Sequence, residues 1–333
     1  MRVAILGGAG FIGHHLALEL ASRGTDVHVV DSLQVNNVIA VATDERYAPH
    51  RDLYSRILQE RLDLLRDADV PVHIQDARDY HALSRLLTDI APTVIVHGAA
   101  VSHAGQSNKD PYNTFDHSLR TLENALDWAR SRVEHFVFLS SSMVYGNFLT
   151  PEVVETHPLE PMGIYGALKV AGEKMVIAYQ QVFDLPYTII RPSALYGPRC
   201  ISRRVSQVFI ENALEGRPIA IAGDGSERLD FTYIDDLVQG ICLVVDKPAA
   251  RNEIFNLTYG EARSIAEVVD LLRRSFPDLD VAHEERDRLM PERGTLSVAK
   301  ARDLLGYAPE NPIDVGLPKY VDWYRQLVGS AAV

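Results

Sequence analysis

Residues 3–13 read VAILGGAGFIG, a short apolar run that meets a cluster of glycines and opens into a stretch with helical apolar spacing to residue 23. A strand that turns this sharply into a helix has few solutions. Gly7 permits the tight turn, Gly10 lets the backbone approach an anionic group, and Gly13 allows close helix–strand packing. The helix start then presents free N–H groups and the positive end of its dipole, a ready seat for phosphate. That single turn points the chain to an α/β architecture.

The rest of the first half agrees. Short runs at 3–6, 27–30, 72–74, 94–97, 136–139 and 187–190 suit strands buried on both faces, as in a parallel sheet with crossover helices. Helices are expected at 11–23, 81–89, 111–130 and 165–183. In the last of these, Val170, Lys174, Ile177 and Gln181 share one flank, while Tyr165, Lys169 and Glu173 share another. After residue 191 prolines and glycines crowd together and strands shorten, which marks a second lobe. The expected division is 1–190 plus about 231–258 for the first lobe, and about 191–230 plus 259–330 for the second. No internal repeat is visible. Between Asp31 and Asp76 an unusually long excursion carries Leu53, Ile57, Leu58, Leu62 and Leu65 at helical spacing. A helix packed on the surface fits it, and a lid or subunit contact is the alternative.

Three positions carry chemistry. Asp31 follows the second strand, where a carboxylate accepts both ribose hydroxyls of NAD and repels the 2′-phosphate of NADP. No arginine follows it at once, so NAD is favoured. Tyr165 and Lys169, in IYGALK, stand four apart and therefore share a helix face. A phenol titrating near about 10 is a poor base at neutral pH, and a neighbouring ammonium favours its ionised form. The third is FVFLSSSMVYG at 136–146, where a core strand runs into three hydroxyls that need partners.

Taken together, GGAGFIG, Asp31, the DARD at 76–79, HGAA at 97–100, SSSMVYG, YGALK, RPSALYGP, GDGSERLDFTYIDD and the late Arg293–Gly294 run in order along nearly the whole chain. In them the sequence resembles the extended short-chain dehydrogenase/reductases, the NAD-dependent nucleotide-sugar epimerase/dehydratase family, of the UDP-glucose 4-epimerase kind. The resemblance implies a Rossmann-type doubly wound parallel sheet with a smaller C-terminal α/β substrate lobe. It implies cofactor contacts from Gly7, Gly10, Phe11, Ile12, Gly13, Asp31, Asp76, Ala77, Ala99, Ser140, Tyr165 and Lys169. Tyr165 takes the proton of a sugar C4 hydroxyl, Ser141 orients that oxygen, and Lys169 assists. Ser142, Met143, Arg203, Arg204 and Arg293 are the implied substrate contacts.

Departures from the pattern narrow the activity. Met143 stands where dehydratases and uronate decarboxylases usually carry Glu, and a thioether moves no proton. Ser142 replaces an Asp common in the glucose-type dehydratases. Both favour a 4-epimerase over a decarboxylase or dehydratase, and Asp31 disfavours an NADPH-linked ketoreductase. A non-catalytic NAD sensor is the reading from a different class, against which the intact Ser141–Tyr165–Lys169 set argues. Ala194 replaces the usual Asn, Leu229 the usual Arg (with Arg228 one position earlier), and HSLRT, with His117 and Arg120, replaces N-V-x-G-T.

Composition sets the partners. A net charge of −12, from 45 acids against 33 bases, and the lack of a basic stripe argue against nucleic acid. No run of about 18 apolar residues exists, so no membrane span is expected. Cys200 and Cys242 form neither a disulfide framework nor a metal motif, and the N-terminus shows no signal-peptide pattern. The expectation is a cytoplasmic protein, and the resemblance implies a homodimer through the 111–130 and 165–183 helices.

Overall fold

In the computed structural model, which describes residues 1–101 and 104–329, seven parallel strands form one sheet. They are β1 (Arg2–Leu6), β2 (Asp26–Asp31), β3 (Val72–Ile74), β4 (Val94–His97), β5 (His135–Leu139), β6 (Tyr187–Arg191) and β7 (Glu253–Asn256). Their order is β7-β6-β5-β4-β1-β2-β3. The residues that drive this are those of doubly buried strands: every residue of β4, β5 and β6 is buried. Alternate side chains serve opposite faces. Val3 and Ile5 pack with Leu16 and Leu20 of α1 (Phe11–Ser22), with Leu65 of α2 (Arg51–Asp67) and with a later helix, Ile234–Asp246. Ala4 and Leu6 pack the other way, against Leu83 and Leu87 of α3 (Tyr80–Ile90), Leu122 of α4 (Thr121–Ala129) and Val176 of α5 (Gly163–Phe183). The chain order reverses between β1 and β4, which opens a crevice beyond the strand C-termini at that point.

The second lobe consists of two-stranded pairings and helices. Leu195–Tyr196 pairs with Thr232–Tyr233, Arg228–Asp230 with Ala262–Ser264, and Ile219–Ala222 with Val281–Glu284. A fourth pairing joins Glu152–Val153 to Thr295–Leu296, so this segment from within 1–190 serves the second lobe, and we propose to draw the division accordingly. One apolar cluster runs unbroken from β1 to Tyr320 and Tyr324 of the last helix, which fixes the lobes on a shared core.

Two segments differ from the sequence expectation. The 111–130 helix is broken: a π-helical turn, Asp116–Arg120, separates Pro111–Phe115 from α4. Thr121 Oγ1 donates to the carbonyls of both His117 and Ser118 there, competing with the regular ladder. The long excursion between β2 and β3 holds Val38–Thr43, a 3₁₀ segment Glu45–His50, and α2. On α2 the buried set is Tyr54, Ile57, Leu58, Arg61 and Leu65, an arginine standing among the apolar side chains.

Candidate active site

The glycine-rich turn is sterically obligatory. Gly7 has φ +78°, and a Cβ on it would come 2.7 Å from the Ala99 nitrogen. On Gly13 a Cβ would lie 2.5 Å from Gly8 Cα. Helix α1 starts with no side-chain cap and no acid in its first turn, so its first N–H groups face the crevice. Asp31 ends β2 with each oxygen engaged once: Oδ2 accepts from Ala9 N at 3.0 Å and Oδ1 from Leu33 N at 2.7 Å. Burial raises its pKa, while those two N–H groups and the Arg61 charge oppose the rise. Asp76 and Ala77 line the same cavity, and Arg78 pairs with Asp76 at 2.6 Å. Burial resists ionisation of Asp76, but the Arg78 hydrogen bonds hold its carboxyl below the usual range. Gly10, Phe11, Ile12 and Ala99 line this cavity as expected, whereas Ser140, Tyr165 and Lys169, also expected against the cofactor, line the neighbouring cavity. Ser32, Val35, Asn36 and Arg61 were not anticipated, because each is delivered by the excursion and not by the glycine motif.

This cavity, of about 1030 Å³, meets a second of about 1600 Å³ along Ile12, Gly98, Ala100, Leu139 and Arg204. The second cavity holds the candidate catalytic residues. Strand β5 ends in Ser140–Ser142, and α5 turns Tyr165, Lys169 and Glu173 inward, all buried. Ser141 Oγ accepts from Met143 N at 3.2 Å, capping the 3₁₀ turn Ser142–Val144. Ser142 and Met143 line the second cavity. Ser140, although at the same edge, points its hydroxyl at Glu173 Oε1, 2.5 Å away.

The electrostatics depart from the simple tyrosine–lysine picture. Burial pushes the Tyr165 phenol up, and the groups that pull it back are the Arg204 charge and the Ser141 hydroxyl. Lys169 Nζ lies 5.9 Å from the Tyr165 ring centroid and donates to the Leu139 carbonyl at 2.7 Å. Burial pushes its pKa down from 10.5 to about 8, with Glu173 opposing. Its folded value is therefore below its unfolded one. Between about pH 8 and 10.5 the unfolded chain holds more proton at this site, so its destabilising contribution fades as pH rises through that window. In cofactor-free protein, denaturant midpoints across that window should rise for the wild type relative to Lys169→Met. Parallel pH profiles of the two proteins would contradict the assignment.

Of the arginines, Arg203 lines the second cavity, with its Nη1 donating to Tyr54 OH at 2.9 Å and lying 3.6 Å from Glu211. Arg204 lines both cavities, and its buried Nε has no partner among the described residues. Arg293 reaches Glu227 at 3.2 Å and Met143 Sδ at 3.9 Å, with its Nε also unpartnered. Arg286, which the motif reading missed, has a third unpartnered Nε and acts electrostatically on Arg293. A signal existed in EERDRLMPER, which puts three arginines within eight residues of one another.

The replacements of Asn and Arg also acquire a physical sense. Leu229 and Ala194 line the second cavity, leaving it more apolar at those points. Ala194 has φ +35°, a left-handed backbone that asparagine tolerates better than alanine. Ala194→Asn should raise unfolding free energy by about 0.5–1 kcal/mol. Denaturant melts check this, and a loss of stability would show that the side chain meets a clash.

A family model described as the NAD dependent epimerase/dehydratase family matches residues 3–258. The chain belongs to that family. Among epimerase/dehydratase relatives, a Bacillus subtilis protein described as an uncharacterized UDP-glucose epimerase is 30% identical over 330 residues, covering 98% of this chain and 99% of that one. The Bacillus cereus UDP-glucuronic acid 4-epimerase, solved with UDP-glucuronic acid and NAD, superposes with a TM-score of 0.87 at 25% identity, over 98% of this chain and 100% of the other. The dTDP-glucose 4,6-dehydratase of Streptomyces venezuelae, solved with NAD, gives 0.84 at 27% identity over 99% and 98%. The first cavity fits the cofactor of this NAD-dependent family. Both Asp31 oxygens keep a lone pair for ribose hydroxyls, and the α1 N-terminus is uncapped.

Proposed function

We propose that this protein is an NAD-dependent nucleotide-sugar 4-epimerase that works through a transient 4-keto sugar. One observation carries the choice within the family. Among the described residues the only carboxylate lining the second cavity is Glu227, and Arg293 neutralises it at 3.2 Å. Dehydration across C5–C6 needs a base and an acid there, and Met143 offers a buried thioether.

NAD, which the Gly7–Gly13 turn and Asp31 would hold, would supply the acceptor and donor of the sugar C4 hydride. The chain supplies the rest. Tyr165 takes and returns the C4 hydroxyl proton, Ser141 orients that oxygen, and Lys169, anchored on the Leu139 carbonyl, keeps its ammonium near the Tyr165 ring and assists. Ser142 and Met143 border the sugar. Arg204, Arg293 and Arg286 hold the diphosphate, a role their unpartnered Nε groups support. Arg203 serves by holding the wall through Tyr54. The exposed apolar Tyr112, Phe115 and Val182, on the segments expected to dimerise, support a homodimer. No helix among the described residues is long and apolar enough to cross a membrane, and two buried free cysteines accord with a cytoplasmic setting.

The test is a panel of uridine, guanosine, cytidine and thymidine diphosphate sugars, with products read by NMR. A C4 epimer should form from at least one, without added cofactor being consumed. Accumulation of a 4-keto-6-deoxy sugar would overturn the epimerase reading in favour of a dehydratase.

A further inference from the structure

The excursion between β2 and β3 has no part in the reaction described so far, yet it sends an arginine into the cofactor cavity. Arg61, near the middle of α2, is 1% exposed and lines that cavity beside Asp31. Its guanidinium donates only to carbonyls: Nε to Arg199 O at 3.0 Å, Nη2 to the same oxygen, and Nη1 to Ala9 O at 3.4 Å. No carboxylate hydrogen-bonds it among the described residues, although Asp31 acts on it through space. Three of its five N–H groups are thus used, and one on each Nη is left. A buried cation without a hydrogen-bonded anion is costly unless a ligand brings one.

The surrounding contacts show where that anion belongs. Ala9 and Gly10 form the middle of the glycine-rich turn, and both of their carbonyls are held by side-chain donors. Ala9 O accepts from Arg61 and from Asn37 Nδ2, at 3.2 Å. Gly10 O accepts from His14 Nδ1 at 2.8 Å and His14 N at 3.2 Å. His14 Nε2 in turn accepts from Arg199 Nε at 3.0 Å, and Glu60 of α2 holds Arg199 Nη1 at 3.1 Å. In a trans peptide the N–H points opposite to the C=O. Holding the Gly10 carbonyl toward His14 therefore aims the Phe11 N–H the other way, into the space where the helix end meets an anion. Helix α2 acts on the turn from two sides, through Arg61 and through Glu60–Arg199–His14.

We propose that α2 is part of the cofactor site, with Arg61 both bracing the Ala9–Gly10 turn and supplying the positive charge that faces the pyrophosphate of NAD. The proposal rests on the assignment of the first cavity to NAD. Arg61 is then a cofactor-binding residue reached from outside the glycine motif, and the excursion is neither a lid nor a simple surface helix.

The experiment titrates nucleotide-free protein calorimetrically with ADP and with adenosine, the fragments with and without the diphosphate. In Arg61→Met, ADP affinity should fall about tenfold to a hundredfold, the range for losing a charged hydrogen-bond partner, while adenosine affinity stays within about threefold. ADP binding should also become less sensitive to salt, and Arg61→Lys, which keeps the charge, should lose less than Arg61→Met. Unchanged ADP affinity in Arg61→Met overturns the proposal, and so does an equal loss for both ligands, which would make α2 a scaffold. If Arg61→Met does not fold, hydrogen exchange on the wild type decides. Saturating ADP, but not adenosine, should protect amides of residues 51–67 together with those of the turn, and equal or absent protection overturns the idea. A wild-type protein that binds no ADP at all removes the NAD assignment, and this proposal with it.

Discussion

Tyr165→Phe should lower turnover by at least about a hundredfold, the low end for removing a positioned acid–base group, and leave nucleotide-sugar affinity nearly intact. The phenol is buried in the wall of the second cavity, next to Ser141 and under the field of Arg204. Burial is the dominant influence and holds its pKa above the ordinary phenol value, with the Arg204 charge and the Ser141 hydroxyl opposing the rise. Phenylalanine keeps the ring volume and its packing on α5, so the fold and the cavity walls survive. What disappears is the oxygen that receives the C4 proton as hydride leaves, an interaction that strengthens in the transition state. Steady-state kinetics on the nucleotide sugar identified by the product panel, with calorimetric binding of the same compound, separates the two effects. Near-normal turnover in the variant would remove Tyr165 from the acid–base role.

How far the sequence reached depends on the range over which each residue is determined. The six strands read from apolar runs lie within a residue of those observed. Strands β4, β5 and β6 are buried along their whole length, as the apolar runs imply, whereas β3 at the sheet edge is not and leaves Ile74 exposed. The glycine turn, Asp31 and the Tyr165–Lys169 spacing were legible as well, since their geometry is set within a few residues. Side-chain commitments made across the fold were not. Arg203 and Arg204 are adjacent and chemically equal, yet a left-handed turn at Arg203, φ +50°, sends the two in different directions. Of the two cavities Arg203 borders only the second and is held by Tyr54 of α2, while Arg204 borders both. Arg61 stands on the apolar face of α2, four residues from Ile57 and Leu65 and three from Leu58, but a guanidinium read by residue type alone is assigned to solvent. The π turn at Asp116–Arg120 depends on hydroxyl competition that apolar spacing does not register. Ser140, a cofactor contact by resemblance, gives its hydroxyl to Glu173, 33 residues away, which no local pattern registers.

That same Glu173 carries the largest stability effect expected in the molecule. It is 1% exposed and binds Arg191, itself 2% exposed, through two hydrogen bonds of 2.9 and 2.7 Å. Burial works against the Arg191 charge, but the bonds to Glu173 more than compensate and hold the guanidinium protonated. Arg191 goes on to Tyr145 OH at 2.9 Å, and Tyr145 donates to Asn256 at 2.7 Å, so one polar network ties α5 to the ends of β6 and β7. Glu173 also receives the Ser140 hydroxyl and is the carboxylate that favours the Lys169 ammonium. Glu173→Ala would leave a buried guanidinium without its counter-charge, a loss of about 3–5 kcal/mol for breaking such a pair from one side. It would also free Ser140 to rotate and push the Lys169 pKa further down. We therefore expect a large drop in the denaturant midpoint together with weakened turnover. Glu173→Leu combined with Arg191→Met should recover much of the stability, because a pair replaced whole by apolar groups leaves no orphaned charge. It should not restore turnover, since Lys169 still lacks its carboxylate. A loss below about 1 kcal/mol in Glu173→Ala, measured by denaturant unfolding, would mean that water or another acid reaches Arg191 and that the network does not hold the catalytic helix in place.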